Sequence, residues 1–279
     1  GMPRMGFPCV GSWATYGLGT ESSNLPGFVV MSDPQGRGLP KGHAANWSAG
    51  FLPGVYQGTY LRPNGQPIDN LVRPETLDGS GQRRQLDLIK QLNQEHLEKN
   101  FSDGELAARI ESFELAFRMQ TAAPEALDIA LEPKHVQELY GVGDDQCDHF
   151  ARQCLMSRRL IERGVRFVQI YSGGMENQRS WDGHNDIEGN HRQFAGETDQ
   201  PVAGLLADLQ QRGLLDETLV VWCGEFGRLP IAQTGAKPGR DHNPHCFCAW
   251  LAGAGIKGGM DYGASDEIGF KAAENKVHV

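Results

Sequence analysis

The sequence predicts an α/β fold built around a parallel sheet. Three apolar runs have the length of strands, and they lie at 165–171 (VRFVQIY), 219–223 (LVVWC) and 246–251 (CFCAWL). A helical pattern lies between the first two runs, and a strand–helix–strand order of this kind normally produces a parallel pair. The second and third runs are continuously apolar, which is typical of strands that are buried on both faces of a parallel sheet.

Two regions in the first half of the chain add a strand and a group of helices. The run at 26–31 (PGFVVM) is a further candidate strand. Residues 82–140 are predicted to form an inserted helical hairpin, since Leu106, Ile110 and Phe113 recur at the spacing of one helix face. We therefore expect a helical insertion at 82–140 beside the sheet.

Two later helices have clear boundaries in the sequence. The helix at 146–163 presents apolar residues at helical spacing, and it is predicted to stop at Gly164. The next helix is predicted to begin with Asp199 as its N-cap, to carry Pro201 in its first turn and to end at Gly213. These boundaries place the first long strand between two helices, as an α/β order requires.

The composition limits the classes of function. The 279 residues are 39% hydrophobic and 22% charged, which is ordinary for a globular protein, and we expect a single domain that spans 1–279. The net charge of -9 and the lack of a basic block disfavour nucleic-acid binding. No apolar run is long enough to predict a transmembrane helix, and the first residues, GMPRMGFPCV, lack the pattern of a secretion signal. The oligomeric state is not determined by these features.

Polar side chains that suit chemistry collect in three loops, at 172–186, 225–228 and 240–243. In an open parallel sheet, ligands bind beyond the carboxyl ends of the strands, so we expect these loops to meet at one rim. Carboxylates and imidazoles together suit a divalent metal, with zinc, manganese or calcium as the candidates. Arginines beside such a metal suit a tetrahedral anion such as phosphate or sulfate. The expected metal ligands are Asp182, His184, Glu225, Asp241 and His242, and the expected anion-binding residues are Arg228, Arg240 and Asn185.

Each of these residues also has a purely structural interpretation. Asp182 and Asn185 then cap a turn, and residues 241–244 (DHNP) form an ordinary Asx turn. The two arginines then pair with some of the many carboxylates. A functional role is favoured for Asp182 and His184, because a Trp-Asp-Gly-His loop after a buried strand has little structural need for both.

Two familiar motifs do not lead to a function. The glycine pattern at 253–258 matches the dinucleotide-binding G-x-G-x-x-G, but the residues after it do not continue as an amphipathic helix that cradles a pyrophosphate. The G-x-S-x-G nucleophile elbow of serine esterases is absent. The sequence therefore identifies no catalytic nucleophile.

Several longer strings resemble one protein family. They are LPGFVVM, RQCLMSRRLIERGVRFVQIY, WDGHND, VVWCGEFGR and GRDHNPHCFCAWLAGAGIKGG. These strings are similar to exported bacterial sulfatase-like proteins called domain-of-unknown-function family 1501, which is placed in the alkaline phosphatase superfamily. The resemblance covers nearly the whole chain and is strongest from the helix at 146–163 onward. It implies an alkaline-phosphatase-like three-layer sandwich, present here in part because family members extend beyond both ends of this sequence.

The resemblance also implies a function and a location. It implies a metal-dependent hydrolase of sulfate or phosphate esters that acts on a small-molecule or glycan ester. It further implies an exported or periplasmic protein, by a signal that this sequence does not contain. Superfamily relatives place an Asp-His pair where this chain has Glu225 and Phe226, and Phe226 cannot ligate a metal. The alternatives are therefore a non-catalytic exported binding protein of the same fold, which recognises anionic or sulfated glycans, and a chain that is inactive as a fragment.

Overall fold

A computed structural model describes residues 6–62, 66–68, 71–73, 75–99 and 104–277. The chain divides into two compact units. The sheet unit comprises Met2–Pro133 and Leu155–Tyr171, and the site unit comprises Lys134–Cys154 and Ser172–Val279. Among the described residues, no helix combines the length and the apolar character that crossing a membrane requires.

The described chain contains six α-helices, a three-stranded parallel sheet and small antiparallel sheets, which confirms the mixed α/β class. In chain order the described elements are α1 (Val10–Leu18), β1 (Phe28–Met31), β2 (Thr59–Leu61), α2 (Gly79–Lys99), α3 (Gly104–Leu127), α4 (Lys134–Tyr140), α5 (Asp148–Glu162), β3 (Phe167–Ile170), α6 (Ile187–Gln211), β4 (Val220–Cys223), β5 (Gly227–Gln233), β6 (Gly239–Asn243), β7 (Ala249–Ala252), β8 (Ala264–Ser265) and β9 (Ala272–Glu274). Short 3-10 helices lie at His43–Trp47, Gly54–Tyr56, Ile129–Leu131 and Asn177–Arg179.

Strand β1 is the centre of a three-stranded parallel sheet with the order β2-β1-β3. All of its residues are buried, as expected for a continuously apolar strand between two others. Side chains alternate across the strand, so Val29 joins a cluster with Leu160 of α5 and residues of α3, while Phe28 packs near Trp47 on the other face. Gly11 of α1 lies against Phe28, where an added Cβ would stand 2.5 Å from the ring. Both faces of this strand are therefore covered.

A buried carboxylate, Glu132, holds two buried arginines of α5 within the sheet unit. Arg158 NH2 lies 2.6 Å from Glu132 Oε2, and Arg159 NH1 contacts Glu132 Oε1. The exposed fractions are 8% for the Glu132 side chain, 1% for Arg158 and 5% for Arg159. Burial works to raise the pKa of Glu132, but hydrogen bonds from both arginines outweigh it and hold that pKa below its ordinary value. Glu132 is therefore charged at neutral pH and ties α5 to the segment that follows α3.

The predictions for the sheet unit are largely confirmed. The candidate strands at 26–31 and 165–171 are β1 and β3. The helix predicted at 146–163 is α5, and Gly164 beyond its end has a φ of 81°, which glycine adopts without strain. The local patterns of these three elements were sufficient to locate them.

The region predicted as a helical insertion, 82–140, is mostly helical in the residues that the structure describes there, 82–99 and 104–140. Its helices α2 and α3 lie in the sheet unit, where Arg83 donates to Glu114 at 2.8 Å across the pair, and α4 lies in the site unit. The status of this region as an insertion, and the single domain spanning 1–279, stay predictions.

The second and third apolar runs form strands, but not the buried parallel sheet that their sequence predicts. Strand β4 pairs with β7 in the antiparallel sense, with Trp222 opposite Trp250, in a sheet of their own. Most of their residues are exposed, including Leu251 at 44%. The hairpin of β5 and β6 lies between the two runs in the chain and reverses its direction. Strand β7 therefore runs antiparallel to β4. The third strand is also shifted, because β7 covers Ala249–Ala252 instead of 246–251.

Helix α6 begins at Ile187, well before the predicted N-cap Asp199. Asp186 is the N-cap, because its side chain accepts a hydrogen bond from a backbone N–H of the first turn. Pro201 therefore lies inside the helix and is buried there, instead of in the first turn. The predicted end is correct, since Gly213 follows the helix with a φ of 70°.

Helices α4 and α6 pack closely in the site unit. Gly204 permits the close approach, because a Cβ there would stand 2.7 Å from the carbonyl oxygen of Leu139. The hydroxyl of Tyr140 donates to Asp208 Oδ2 at 2.9 Å, and both side chains are buried. This contact anchors α6, whose N-terminus continues from the loop that carries Asp182 and His184.

The buried Glu132 cluster generates a stability prediction. Glu132→Gln removes the carboxylate that the two buried guanidiniums share, although Arg158 keeps its pair with Glu162, so we expect a loss of about 3–5 kcal/mol in the free energy of unfolding. Urea-induced unfolding at neutral pH measures this loss.

The matched control is Glu138→Gln on α4. Glu138 and its partner Lys134 are 61% and 89% exposed, with 3.4 Å between Oε1 and Nζ. Exposed pairs of this kind contribute about 0–1 kcal/mol, so this variant should unfold nearly as the wild-type protein does. Equal losses in the two variants would contradict the role assigned to Glu132.

Candidate metal centre

The hairpin of β5 and β6 supplies one side of the candidate site. In its register Arg228 lies opposite His242, so the two side chains leave the same face of the ladder. Arg240 precedes His242 by two positions on β6, and it therefore projects from that face as well. The ladder contains an irregularity in β5, and beyond it Gln233 lies opposite Gly239.

The loop before α6 runs along β6 and supplies the other side. A backbone N–H of β6 donates to the carbonyl oxygen of Gly183 at 3.0 Å, and Asn185 forms an antiparallel bridge with Pro238. Gly239 is required at this crossing, because a Cβ there would stand 1.9 Å from the carbonyl oxygen of His184. These backbone contacts place His184 beside β6.

Asp182, His184 and His242 bring three ligand atoms into one small volume. Asp182 Oδ1 lies 2.9 Å from His242 Nε2 and 3.1 Å from His184 Nε2, and the two imidazole nitrogens are 3.0 Å apart. A cation bound at about 2.1 Å by such atoms holds neighbouring ligand atoms about 3.0–3.4 Å apart. The three atoms therefore fit a single divalent cation as they stand.

The Asp182 carboxylate accepts hydrogen bonds on both of its oxygens. Arg228 NH2 donates to Oδ1 at 2.7 Å, and the backbone N–H of Asn177 donates to Oδ2 at 2.8 Å. Only 16% of the Asp182 side chain is exposed, and this burial works to raise its pKa. The donors, together with His242, outweigh burial and hold the pKa of Asp182 well below its ordinary value. Asp182 is therefore ionised throughout the neutral range.

Arg228 is committed to the loop and the hairpin. Besides Asp182, it donates to the carbonyl oxygen of Trp181 at 3.2 Å and to that of Arg240 at 3.1 Å. Its side chain is 20% exposed. These contacts favour a role in positioning Asp182 and keeping it ionised over the predicted role of binding a substrate anion.

Asp182, His184 and His242 are called the ligand group below. Each of its two imidazoles also contacts a side chain outside the group. His184 Nδ1 lies 3.0 Å from Gln233 Oε1. The ring of His242 stacks on Phe226, with 4.0 Å between centroids and 32° between planes. The exposed side-chain fractions are 23% for His184 and 40% for His242, so the ligand group opens to solvent on the His242 side.

The other predicted site residues surround the ligand group without joining it. Among the described residues, the ligand atoms within 4.8 Å of one another at this site come from Asp182, His184 and His242. Glu225 is exposed between β4 and β5, and Asp241 is 53% exposed with Oδ1 3.9 Å from His184 Nδ1. Side chains alternate along β6, so the Asp241 side chain lies on the opposite face of the strand from those of Arg240 and His242.

The two remaining predicted residues make contacts of different kinds. Asn185 is exposed and pairs with Pro238 through its backbone. Arg240 donates through NH1 to the carbonyl oxygen of Leu229 at 3.2 Å, and its side chain is partly exposed. Arg240 is therefore the arginine of this site that remains suited to an incoming anion.

Sequence reasoning missed Gln233, which lies outside all three loops that the sequence singled out. The available signal was a polar residue that ends a largely apolar strand, GRLPIAQ, shortly before Gly239. The backbone N–H of Asn177 was also missed, because a backbone donor leaves no mark on the residue type. Both contacts depend on tertiary register, which local patterns do not contain.

Comparison with known proteins yields a family and no activity. A family model described as "Protein of unknown function (DUF1501)" matches residues 1–279. No curated protein and no solved structure matches the chain. The family match agrees with the family resemblance found in the sequence.

The lowered pKa of Asp182 predicts a pH-dependent contribution to stability in metal-free protein. Since the folded-state pKa lies below the unfolded value of about 4, the contribution is complete above that value and declines as the pH falls through the folded-state pKa. Asp182→Asn should lower the free energy of unfolding at pH 7 by about 1–3 kcal/mol.

Urea unfolding of both proteins with a chelator present, from pH 7 down to pH 3, measures the difference. We expect it to stay constant down to about pH 4 and then to shrink. A difference that grows as the pH falls would contradict the assignment of a charged, hydrogen-bonded Asp182.

Proposed function

We propose that this chain, which belongs to the DUF1501 family of proteins of unknown function, is a metal-dependent hydrolase of phosphate or sulfate esters. The observation that carries the proposal is the mutual spacing of the Asp182, His184 and His242 ligand atoms, at 2.9, 3.0 and 3.1 Å. Two imidazole nitrogens and one carboxylate oxygen are the donor set of catalytic zinc sites that keep a coordination position open.

The donor set narrows the choice of cation. Calcium prefers six to eight oxygen ligands, whereas two imidazoles suit zinc and other first-row divalent metals. Of the candidates named from the sequence, zinc therefore fits best and manganese next. A divalent cation at this position supplies charge stabilisation and activation of water when it is bound.

The chain's own residues have distinct roles in this proposal. Asp182 contributes a full negative charge, because Arg228 and Asn177 hold it ionised. His242 is the more exposed of the two imidazoles, so substrate approaches on its side. Arg240 projects from the same face of β6 as His242 and provides a positive charge for the ester's anionic group.

The finer architecture belongs to the same proposal. In the sheet unit, α3 and α5 cover one face of β1, and α1 and Trp47 cover the other. This layering is what an alkaline-phosphatase-like sandwich requires, and the family resemblance supports it. Export, which the resemblance implies, remains part of the proposal.

A second candidate function, glycan binding without catalysis, is favoured by Phe226. Its ring covers one face of the His242 imidazole at 4.0 Å, in the position where the sequence resemblance expects a ligand. A site with one cation and an anion-facing arginine is sufficient to bind a sulfated sugar. Turnover of the bound ester separates the two candidates.

The metal site itself generates the first test. The wild-type chain is expected to bind one zinc ion, and His184→Ala and His242→Ala each remove a ligand. Affinity should fall by more than the ~10–100-fold that loss of an outer-shell partner causes. Isothermal titration with a competing chelator measures the affinity.

The control is His135→Ala, which removes an exposed histidine of α4 and should leave the zinc affinity at the wild-type value. Zinc affinity that survives both ligand substitutions would refute the assigned centre.

The catalytic part has its own test. Zinc-loaded and manganese-loaded protein should hydrolyse an aryl phosphate or an aryl sulfate, and Asp182→Asn and His242→Ala should abolish this turnover. Arg240→Gln should raise KM while zinc affinity stays unchanged, because Arg240 faces the substrate and not the cation.

Protein that binds zinc and hydrolyses neither ester excludes the hydrolase. Retention of a sulfated oligosaccharide by that same protein, lost in Arg240→Gln, would then support the binding function.

A further inference from the structure

We propose that Gln233 is a positioning residue that fixes the tautomer and the ring orientation of His184. The inference deepens the proposed function and rests on it only for its catalytic consequence. In this proposal Gln233 contacts neither the substrate nor the cation. It acts through His184, whose Nδ1 lies 3.0 Å from Gln233 Oε1.

The chemistry of the contact assigns the proton. An amide oxygen only accepts hydrogen bonds, so His184 Nδ1 carries the hydrogen and donates it to Gln233. In this tautomer the lone pair is on Nε2, which lies 3.0 Å from His242 Nε2 and 3.1 Å from Asp182 Oδ1. The ligand atom is thus presented to the cluster before any cation arrives.

The backbone explains why Gln233 reaches this position. Gln233 is the last residue of β5 and pairs with Gly239, which has no side chain to occupy the space opposite. His184 belongs to the neighbouring loop, and its carbonyl group lies against Gly239 of β6. Gln233 and His184 therefore meet across the one position in β6 that is free of a Cβ.

The competing partner for this nitrogen is Asp241. Its Oδ1 lies 3.9 Å from His184 Nδ1, which is too long for a hydrogen bond, and it already accepts the backbone N–H of His242 at 2.8 Å. Its side chain is also 53% exposed. Gln233 is therefore the direct partner, and its removal frees the His184 ring to rotate or to change tautomer.

Outer-shell hydrogen bonds of this kind have a measurable effect on metal sites. Loss of the partner that orients a ligating histidine typically lowers metal affinity about 10–100-fold. We expect that range for Gln233→Leu, which keeps the size of the side chain and removes the acceptor. Gln233→Glu retains an acceptor for the Nδ1 hydrogen and should therefore avoid this loss of affinity.

The experiment measures tautomer and affinity separately on the whole chain. Long-range proton–nitrogen correlation spectra of metal-free protein report which nitrogen of His184 carries the hydrogen, and a zinc titration reports the affinity. Wild type and Gln233→Glu should show the Nδ1–H form. Gln233→Leu should show a mixture of tautomers and the weaker affinity.

Gln210→Leu is the matched control, because Gln210 is an exposed glutamine of α6 in the same unit. It should change neither signal. If Gln233→Leu fails to fold, Gln233→Asn provides the same comparison, since its amide is one methylene too short to reach Nδ1.

The outcomes distinguish this inference from the proposed function. An unchanged Nδ1–H tautomer and an unchanged zinc affinity in Gln233→Leu would overturn the positioning role, even where wild type binds zinc. A tautomer that depends on Gln233 in a chain that binds no zinc would instead support the positioning role and remove the metal function.

Discussion

The ionised carboxylate of Asp182 is the group on which the candidate site depends. Its oxygens accept from Arg228 and from the backbone of Asn177, and Oδ1 also contacts both imidazoles. A partly buried charge with this many donors is stable only where they are held in place. Arg228 provides that constraint, because it also binds two backbone carbonyls, one in the loop and one in the hairpin. Loop, hairpin and ligand group are thus joined through one charge pair.

Backbone contacts position the side chains around that pair. Gly239 lets the His184 segment lie directly against β6, and the register of the hairpin sets Arg228 opposite His242. A side chain at 239 would displace His184 from the group, although it would touch no ligand atom directly. The site therefore depends on the absence of a Cβ at Gly239 as well as on its charged residues. The same crossing aligns Gln233 with His184, which links the ligand group to the end of β5.

The sequence predicted the residues of the candidate site better than it predicted the direction and the burial of strands β4 and β7. Of the three loops that were expected to meet, two bring Asp182, His184 and His242 together, and Arg228 of the third donates to Asp182. Glu225 and Asp241 have the same chemistry but remain outside, because strand alternation and exposure are not visible in residue type. Strand β1 was recognisable from local apolarity, whereas the equally apolar β4 pairs antiparallel with β7 and is exposed. Apolarity indicates a strand, but the intervening hairpin decides its direction and its partner.

We propose that one divalent cation is held jointly by Asp182, His184 and His242. A crystal of zinc-soaked protein, with anomalous data collected on both sides of the zinc absorption edge, tests it most directly. We expect one strong anomalous peak about 2.0–2.2 Å from His184 Nε2, His242 Nε2 and Asp182 Oδ1. A well-ordered site without that peak, or a zinc ion bound elsewhere, would contradict a cation held jointly by these three residues.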